Sequence, residues 1–289
     1  MVPLDGEVRE GVGLLGSSSF EIPRKALRDS RFDLGSADEL RRRLAAKNKH
    51  NAVTMGLYLL VRWIYFFGVT LLALGAADLY HSLGASVFAL ASILILLSSV
   101  VYFVLVGRAV IGLQALRPLG CSIYDRSFWR HERFWKVPPH AYLQIFNGTP
   151  FKNVLWRLLG ARLGGRVFDD GCWMAERTFV TIGNDCMLNV GSTIQCHSQE
   201  DGAFKSDRIT IGAGCTIGVG AFVHYGVTVG DGAVLAPDSF LMKGEEIPRT
   251  HGGGEIRPGR FEITWPIRRS AETATTTAAS PWSVTCNDK

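Results

Sequence analysis

The residues best suited to chemistry lie in one stretch of the chain that begins with a histidine. His197 is closely followed by the carboxylates of Glu200 and Asp201. A neutral imidazole can take a proton from an attacking amine or hydroxyl, because its ordinary pKa lies near physiological pH. A neighbouring carboxylate can fix the tautomer and stabilise the imidazolium. His197 is therefore a candidate general base with Glu200 or Asp201 as its orienter, although a solvated loop histidine without a catalytic role would look the same in sequence.

A second histidine and several acidic residues extend this candidate site. His224 lies in the segment AFVHYG and is either a second catalytic histidine or a polar surface residue. Residues 167–207 contain seven acidic residues and two basic ones. Negative charge concentrates cations, so the segment favours a cationic amine acceptor, unless the acids serve only solubility. The candidate substrate-binding residues are Asp169, Asp170, Lys205 and Asp207.

Metal and nucleotide motifs are missing from this stretch. His197 and His224 are its two histidines, and the adjacent pair Cys196–His197 does not have the spacing of zinc ligands, so we expect no metal site. The sequence has no GxGxxG, Walker A or G-x-S-x-G context. The six cysteines include no CxxC pair, which favours a reducing compartment.

The residues around the candidates repeat every six positions. From Ile209 onward the chain reads ITIGAG, CTIGVG, AFVHYG, VTVGDG, AVLAPD and SFLMKG. This period is typical of a hexapeptide solenoid, in which short parallel strands wind into a triangular coil. Neighbouring coils bury the aliphatic residue of each six. The pattern predicts a parallel β-helix over residues 167–246, in which these residues point inward: Ile211, Ile217, Val223, Val229, Leu235 and Leu241.

The count of six fails at two places. Between Ile194 and Ile211 the chain gains eleven residues, which form the loop 197–207. Insertions in solenoids map to loops on one face, often the binding face, so this loop is the predicted site. A smaller offset of two residues follows Phe168 and Met174, which are six apart and are expected to begin the inward row.

Two apolar runs precede the repeats. Residues 55–77 are interrupted only by Arg62, and residues 82–107 carry no charge. Either run is long enough to cross a hydrocarbon core of about 30 Å, although a buried hairpin of a soluble protein is the competing interpretation. The loop 78–81 lacks Lys and Arg, whereas both outer flanks contain them. The positive-inside rule therefore predicts a multi-pass protein of a bacterial-type cytoplasmic membrane, with helices within 55–110 and with both termini and the β-helix in the cytoplasm.

The remaining segments connect these two units. Residues 26–54 form a basic segment, and Ser36 is the expected N-cap of a short helix over 36–49. Residues 111–166 interleave aromatic and cationic side chains, which is typical of a membrane interface. They end in a helix over 151–163 that leads into the coil. A nucleic-acid partner is not expected, because no nucleic-acid fold motif accompanies the basic residues. The tail 247–289 is expected to be irregular and disordered.

Longer strings resemble one family over nearly the whole chain. The hexads alone resemble the left-handed β-helix, or hexapeptide-repeat, acyltransferases. The longer strings are similar to the C-terminal region of ε-poly-L-lysine synthetases, which are membrane-bound nonribosomal peptide synthetases. In that family, adenylation and carrier domains precede membrane helices that flank three tandem acyltransferase-like domains. The chain resembles the last of the three, and residues 1–25 resemble the edge of the preceding one. The strings are LLGSSSFEIPR, RRRLAAKNKHN, TMGLYLLVRW, FWRHERFWK, FNGTPFKNVLWRLLGARLGGRVFDDG, IQCHSQEDGAFKSDRITIGAGCTIGVGAFVHYGV and LAPDSFLMKGE.

The resemblance implies amide-bond formation. The donor would be an aminoacyl thioester on the phosphopantetheine arm of a carrier, and the nucleophile would be the amine of a cationic acceptor. His197 would be the base, with Glu200 or Asp201 as its orienter or as the ammonium anchor. The alternatives are a stand-alone acyltransferase that uses acyl-CoA or an acyl carrier, and a non-catalytic membrane scaffold.

The resemblance also implies partners. They are membrane lipid, carrier and adenylation domains, and other tandem copies or a trimer-like homo-oligomer, because hexapeptide acyltransferases generally act as trimers. After MKGEEIP the chain departs from the family, since THGGGEIRPGR replaces a GNPA-like turn that commonly lines the donor groove.

Overall fold

The computed structural model describes residues 13–15, 20–22, 36–113, 116–138, 141–200 and 202–249. Near the N-terminus, strands β1 (Gly13–Leu15) and β2 (Phe20–Ile22) pair antiparallel. The other residues of the predicted segment 1–25, the start of the segment 26–54 and the tail from residue 250 lie outside the described residues.

Two long helices follow. Helix α1 (Ala37–Leu83) begins at Ser36, whose Oγ accepts a hydrogen bond from the Glu39 amide at 3.3 Å. The helix continues without a break, so the predicted short helix and first apolar run are one element, and the predicted loop 78–81 is helical. The chain reverses at Gly84, which has φ +66°, a conformation that glycine adopts without steric cost. Helix α2 (Ser86–Ala109) then returns.

Both helices are long and apolar enough to cross a membrane. Their large apolar side chains face outward, and Leu59 and Trp63 are more than 60% exposed. The helices contact each other through two polar links. Tyr102 Oη donates to the Val61 carbonyl at 2.8 Å, and Tyr65 Oη lies 3.0 Å from Ser99 Oγ. These links fix the register of the hairpin.

A connecting region joins the helices to the coil. It comprises β3 (Leu119–Ser122), α3 (Arg126–Lys136), a 3-10 turn (Ala141–Phe146) and α4 (Pro150–Leu158). Helix α4 covers most of the helix predicted over residues 151–163, but it ends at Leu158, and the last two residues of that range form a short strand. On α3, the rings of Phe128, Trp129 and Phe134 are buried inside the protein. These three aromatic residues therefore pack in a core of their own chain, whereas the sequence predicted a membrane-interface role for their segment.

The rest of the described chain consists of short strands. They are β4 (Arg162–Leu163), β5 (Phe168–Asp169), β6 (Trp173–Met174), β7 (Val180–Ile182), β8 (Met187–Leu188), β9 (Thr193–Gln195), β10 (His197–Glu200), β11 (Ala203–Ser206), β12 (Ile209–Ile211), β13 (Thr216–Ile217), β14 (Phe222–His224), β15 (Thr228–Val229), β16 (Val234–Leu235), β17 (Phe240–Leu241) and β18 (Glu246–Ile247), with a 3-10 turn at Arg177–Phe179.

All of these strands except β10 and β11 form the predicted parallel β-helix. Three parallel sheets have the orders β18-β15-β12-β7-β4, β16-β13-β8-β5 and β17-β14-β9-β6. Ile211, Val229 and Ile247 are in register, so one coil takes eighteen residues, or three hexads. The predicted inward residues from Ile211 to Leu241 are all buried. The coil extends slightly beyond the predicted bounds of 167–246, and its left-handed sense stays a prediction.

The first coil differs from the sequence prediction by one residue. Phe168 is 43% exposed, and Asp169 takes the inward position in register with Leu188. A shift of one residue moves a strand's side chains to the opposite face. The buried Asp169 carboxylate accepts hydrogen bonds from Lys152 Nζ at 3.0 Å and from Trp156 Nε1 at 2.6 Å. Helix α4 thus closes this end of the coil through a buried ion pair.

The described residues of the inserted loop 197–207 form the two strands of a β-hairpin. Strands β10 and β11 pair antiparallel, and β11 also pairs with β3, opposing Phe204 to Cys121. The Phe204 ring is fully buried and lies 4.7 Å from the Phe128 ring, measured between centroids. The insertion therefore joins the coil to the connecting region.

The register of the first coil gives a test of the fold. Asp169→Ala leaves the Lys152 ammonium buried without its carboxylate, so we expect the free energy of unfolding to fall by about 3–5 kcal/mol. The control Asp170→Ala removes the exposed neighbouring carboxylate and should cost less than about 1 kcal/mol. Denaturant unfolding in detergent, followed by circular dichroism, measures both. A larger loss for Asp170→Ala would contradict the observed register.

Candidate functional site

His197 lies at the point where the hairpin leaves the coil, and a carboxylate contacts it there. Its Nδ1 is 2.6 Å from Oε1 of Glu176, whose side chain is fully buried. The His197 side chain is 16% exposed. A histidine nitrogen that faces a carboxylate carries the proton, so the lone pair is on Nε2. His197 therefore has the arrangement of a general base whose tautomer is held by a buried anion.

Glu176 reaches this position because the coil deviates from its repeat. It follows β6 and precedes the 3-10 turn at Arg177–Phe179, inside the two-residue offset of the hexad count. Its Oε2 accepts a hydrogen bond from the Cys196 amide at 3.1 Å. Burial alone would raise the pKa of Glu176, but His131 and His197 outweigh that effect and hold the pKa below its ordinary value. The carboxylate is thus an anion at neutral pH.

Aromatic rings fix the His197 imidazole from the side. The Trp135 ring stacks on it, with centroids 4.7 Å apart and planes at 11°. Phe204 lies 5.7 Å away on the hairpin. Trp135 belongs to α3, and its partial exposure leaves the edge of this arrangement open to solvent. The imidazole is held between a helix and a hairpin, with one side accessible.

The carboxylate that contacts His197 is that of Glu176, whereas the sequence predicted Glu200 or Asp201 as the orienter. Glu200 is exposed and forms an ion pair with the Lys243 ammonium. Lys243 lies 5.9 Å from the Tyr225 ring centroid. Asp201 lies outside the described residues. The sequence signal that could have identified Glu176 is the small offset after Met174, because a break in a strict repeat frees a side chain from the inward or outward row.

His224 is buried beside the site, in register with Gln195. Its Nδ1 accepts a hydrogen bond from the Tyr225 amide at 3.0 Å, and it also bonds the Gln195 backbone. Gln195 in turn donates from Nε2 to the His197 carbonyl at 3.1 Å. Burial, reinforced by the positive charge of Lys243, lowers the pKa of His224 to about 4. His224 is therefore neutral at physiological pH and a poorer base than an ordinary histidine.

The four predicted substrate-binding residues lie in different environments. Asp169 is committed to the interior of the first coil, where amide donors from Gly171 and Cys172 add to the bonds from α4. Asp170 is exposed next to it. Lys205 lies on β11, half-buried, and Asp207 is exposed at the base of the hairpin, where its amide donates to the Cys196 carbonyl at 3.1 Å. Lys205 and Asp207 thus belong to the same hairpin as His197, whereas Asp169 serves the fold.

Within the described residues, no group of three or more His, Cys, Asp or Glu side chains is arranged to hold a metal ion. The described cysteines are all buried and free, and they are Cys121, Cys172, Cys186, Cys196 and Cys215.

Comparisons with known proteins match the repeats of the coil and a longer part of the chain. The family model "Hexapeptide repeat of succinyl-transferase" matches residues 208–236. A delta-poly-L-ornithine synthetase from Acinetobacter baumannii (strain AB307-0294) is 27% identical over 182 residues, which are 62% of this chain and 12% of that protein. The hexapeptide-repeat acyltransferase superfamily expected from the sequence is thus supported. The chain spans about an eighth of the length of this relative.

Solved structures of acetyltransferases show weaker likeness. A hexapeptide-repeat acetyltransferase from Vibrio cholerae O1 biovar eltor, complexed with acetyl coenzyme A, is 18% identical with a TM-score of 0.32, covering 38% of this chain and 76% of its own. A maltose O-acetyltransferase from Clostridium difficile 630 is 18% identical with a TM-score of 0.34, covering 46% and 86%. Likenesses at this level add nothing to the geometry described above.

The low pKa of His224 predicts a pH dependence of stability. The unfolded chain binds a proton on this residue near pH 6.5, whereas the folded chain binds it near pH 4. The unfolded state thus holds more protons in this window, so the free energy of unfolding falls as pH is lowered from about 6.5 towards 4. His224→Gln should reduce the stability difference between about pH 7 and pH 5, measured by denaturant unfolding. The exposed His81→Gln is the control, and an unchanged difference in His224→Gln would contradict the assignment.

Proposed function

We propose that this chain is a membrane-anchored acyltransferase module that forms amide bonds from a carrier-bound aminoacyl thioester to a cationic amine. The observation that carries the proposal is the His197–Glu176 contact at 2.6 Å. A partly exposed histidine with a buried anionic partner is the arrangement that acyl transfer to an amine requires of its base. The hexapeptide repeat supports the same reaction class.

In the proposed reaction, Nε2 of His197 accepts a proton from a neutral amino group of the cationic acceptor as the nitrogen of that amino group attacks the thioester carbonyl. The new C–N bond gives a tetrahedral intermediate. Collapse breaks the C–S bond, and the proton on His197 passes to the departing thiolate, which leaves as the free thiol. Glu176 stabilises the imidazolium that exists between these two steps, because its negative charge lies against Nδ1.

The neighbours of the base have supporting roles in this proposal. His224 and Gln195 hold the chain at the start of the hairpin, because His224 bonds the Gln195 backbone and Gln195 bonds the His197 carbonyl. Glu200 is the proposed ammonium anchor of the acceptor. Its contact with the Lys243 ammonium supports this role, since a carboxylate that accepts one primary ammonium has the geometry to accept another. Lys205 and Asp207, on the same hairpin, are proposed to line the acceptor path.

The substrate class comes from the relative. The Acinetobacter protein is called a delta-poly-L-ornithine synthetase, so its product consists of a cationic amino acid. The acidic character of residues 167–246, with eleven acidic and four basic residues, suits an acceptor of the same charge. The donor is proposed to be an aminoacyl group on phosphopantetheine, and the adenylation and carrier domains that load it are proposed partners in the same assembly.

The membrane placement rests on α1 and α2. Their exposed apolar side chains would be unfavourable in water over this length, and lipid removes that cost. The lack of Lys and Arg in residues 78–81 favours a hairpin whose open end, and with it the coil, lies on the cytoplasmic side. The site would then lie close to the membrane surface, because α3 packs against the first turns of α1 through the Lys47–Glu132 ion pair at 2.7 Å.

One face of the coil is suited to contact with another copy of the same fold. The outward residues of the sheet that contains β5 and β8 are apolar in its first coils, and Phe168 and Met187 are more than 40% exposed. The sheet that contains β12 instead presents Thr181, Thr210 and Thr228. Exposed apolar patches on one side of a protein mark interaction sites. We assign the apolar face to contact with another copy of the fold, which this chain meets as a homo-oligomer when it stands alone and as a neighbouring tandem copy in the assembled synthetase.

His197→Ala tests the chemistry. We expect transfer of an ornithyl or lysyl group from a pantetheine thioester to a diamine to fall by about 10²–10⁴-fold in the assembled synthetase. His81→Ala, an exposed histidine of α1, is the matched control and should retain full activity. An unchanged rate in His197→Ala would exclude His197 as the base and favour a scaffold role.

Met187→Glu tests whether the apolar face of the β5 and β8 sheet contacts another copy of the protein. A charge at this exposed position should dissociate copies of the protein in detergent, because it would be desolvated in the contact. Thr210→Glu places the same charge on the polar sheet and should leave the mass unchanged. Light scattering coupled to size exclusion gives the masses. A wild-type monomer, or an unchanged oligomer in Met187→Glu, would contradict the assignment.

A further inference from the structure

A second histidine contacts the carboxylate of the proposed site. His131, on α3, places its Nε2 3.5 Å from Oε1 of Glu176, the same oxygen that lies 2.6 Å from His197. Oε2 is already occupied by the Cys196 amide at 3.1 Å. Both side chains of the His131–Glu176 pair are buried, at 3% and 0% exposure. The carboxylate is thus held on three sides, and two of its neighbours are imidazoles.

The surroundings of His131 exclude solvent from its side chain, which is 3% exposed. Its ring lies 4.8 Å from the Phe204 ring, 5.2 Å from Trp135 and 5.8 Å from Phe179, all measured between centroids. An imidazole N–H in such a place needs an acceptor. Nε2 of His131 has no hydrogen bond within the described residues, and the anionic oxygen in contact with it is Glu176 Oε1 at 3.5 Å. Glu176 also interacts with the buried guanidinium of Arg177, whose central carbon lies 4.4 Å from the Phe134 ring centroid.

His131 and Trp135 are one helical turn apart, so one face of α3 serves both partners of the dyad. Trp135 stacks on the His197 ring, and His131 contacts the carboxylate. The same helix is tied to α1, where Arg133 Nε donates to Thr54 Oγ1 at 3.0 Å. The position of Glu176 relative to His197 therefore depends on α3 as well as on the coil.

We propose that His131 is a positioning residue that holds Glu176 Oε1 against Nδ1 of His197. The inference rests on the proposed function, in which His197 Nε2 must keep its lone pair. A carboxylate that loses its second donor gains freedom to rotate within its cavity, and His197 can then place its proton on either nitrogen. A fraction of the molecules would carry that proton on Nε2 and would not accept one from the amine.

The test compares three substitutions in the full-length protein in detergent. His131→Phe keeps a ring but removes the donor. His131→Gln places an amide nitrogen where Nε2 was, and His131→Asn is one methylene shorter and does not reach Glu176. Nitrogen-15 spectra of the seven labelled histidines report which ring nitrogen of each is protonated, with His197→Gln identifying the His197 signal. This readout does not require activity.

We expect one Nδ1-protonated form of His197 in the wild type and in His131→Gln, and a mixture of both forms in His131→Phe and His131→Asn. In the assembled synthetase, kcat should fall by roughly tenfold in His131→Phe and His131→Asn, as for the loss of a hydrogen bond to a charged group. KM should stay within about twofold of the wild-type value, and kcat should recover in His131→Gln. An unchanged His197 signal in both His131→Phe and His131→Asn overturns the proposal, even if their kcat falls. If the His197 signal changes in His131→Phe and His131→Asn while His197→Ala is still active, His131 keeps its positioning role and His197 is excluded as the base.

Discussion

The carboxylate of Glu176 is a negative charge that folding removes completely from water. An isolated ion in such a place would be strongly unfavourable, and the surrounding structure supplies its partners: the His197 and His131 imidazoles and the Cys196 amide. Each partner comes from a different part of the fold. His197 begins the hairpin, His131 lies on α3 and Cys196 ends a coil strand. The position of the hairpin and of α3 on the coil is thus tied to one ion.

This dependence links the two long helices to the coil. Helix α3 contacts α1 through the Lys47–Glu132 ion pair. Phe103 of α2 stacks on Tyr142, which belongs to the 3-10 turn of the connecting region. Gly107, near the end of α2, lies where a Cβ would come within 3.0 Å of Leu159. The helix hairpin therefore packs closely on the domain that it is proposed to anchor. A rigid connection of this kind fixes the orientation of the site relative to the proposed membrane surface.

The coil could be predicted from the sequence because its cause is local. Inward positions such as Ile217 and Leu235 follow from a period of six, and each packs on an equivalent residue one coil away. The prediction failed where partners come from outside the repeat. Asp169 points inward instead of Phe168 because α4 supplies Lys152 and Trp156 as its donors. Aliphatic periodicity cannot indicate such a pair.

The sequence indicated one part of the candidate site, whose signal is local, and missed the part that depends on contacts between coils. The insertion after Ile194 pointed to His197, because an interruption of a strict repeat is visible in the sequence. Its partner was not visible, since Glu176 and His197 belong to successive coils and meet only once the strands are in register. Glu200, the nearer carboxylate in sequence, lies on the exposed side of the hairpin with Lys243. Sequence proximity favoured Glu200 or Asp201 as the orienter, whereas the carboxylate that contacts His197 is Glu176.

The central claim is that the Glu176 anion gives His197 its capacity as a base. Glu176→Gln tests it most directly, because the amide keeps the size of the side chain and one acceptor oxygen while it removes the charge. The measurement is the single-turnover rate of aminoacyl transfer from a pantetheine thioester to a diamine by the assembled synthetase. The account predicts a loss of at least about 10²-fold in Glu176→Gln with the substrate affinity retained. A rate equal to that of the wild type would contradict it.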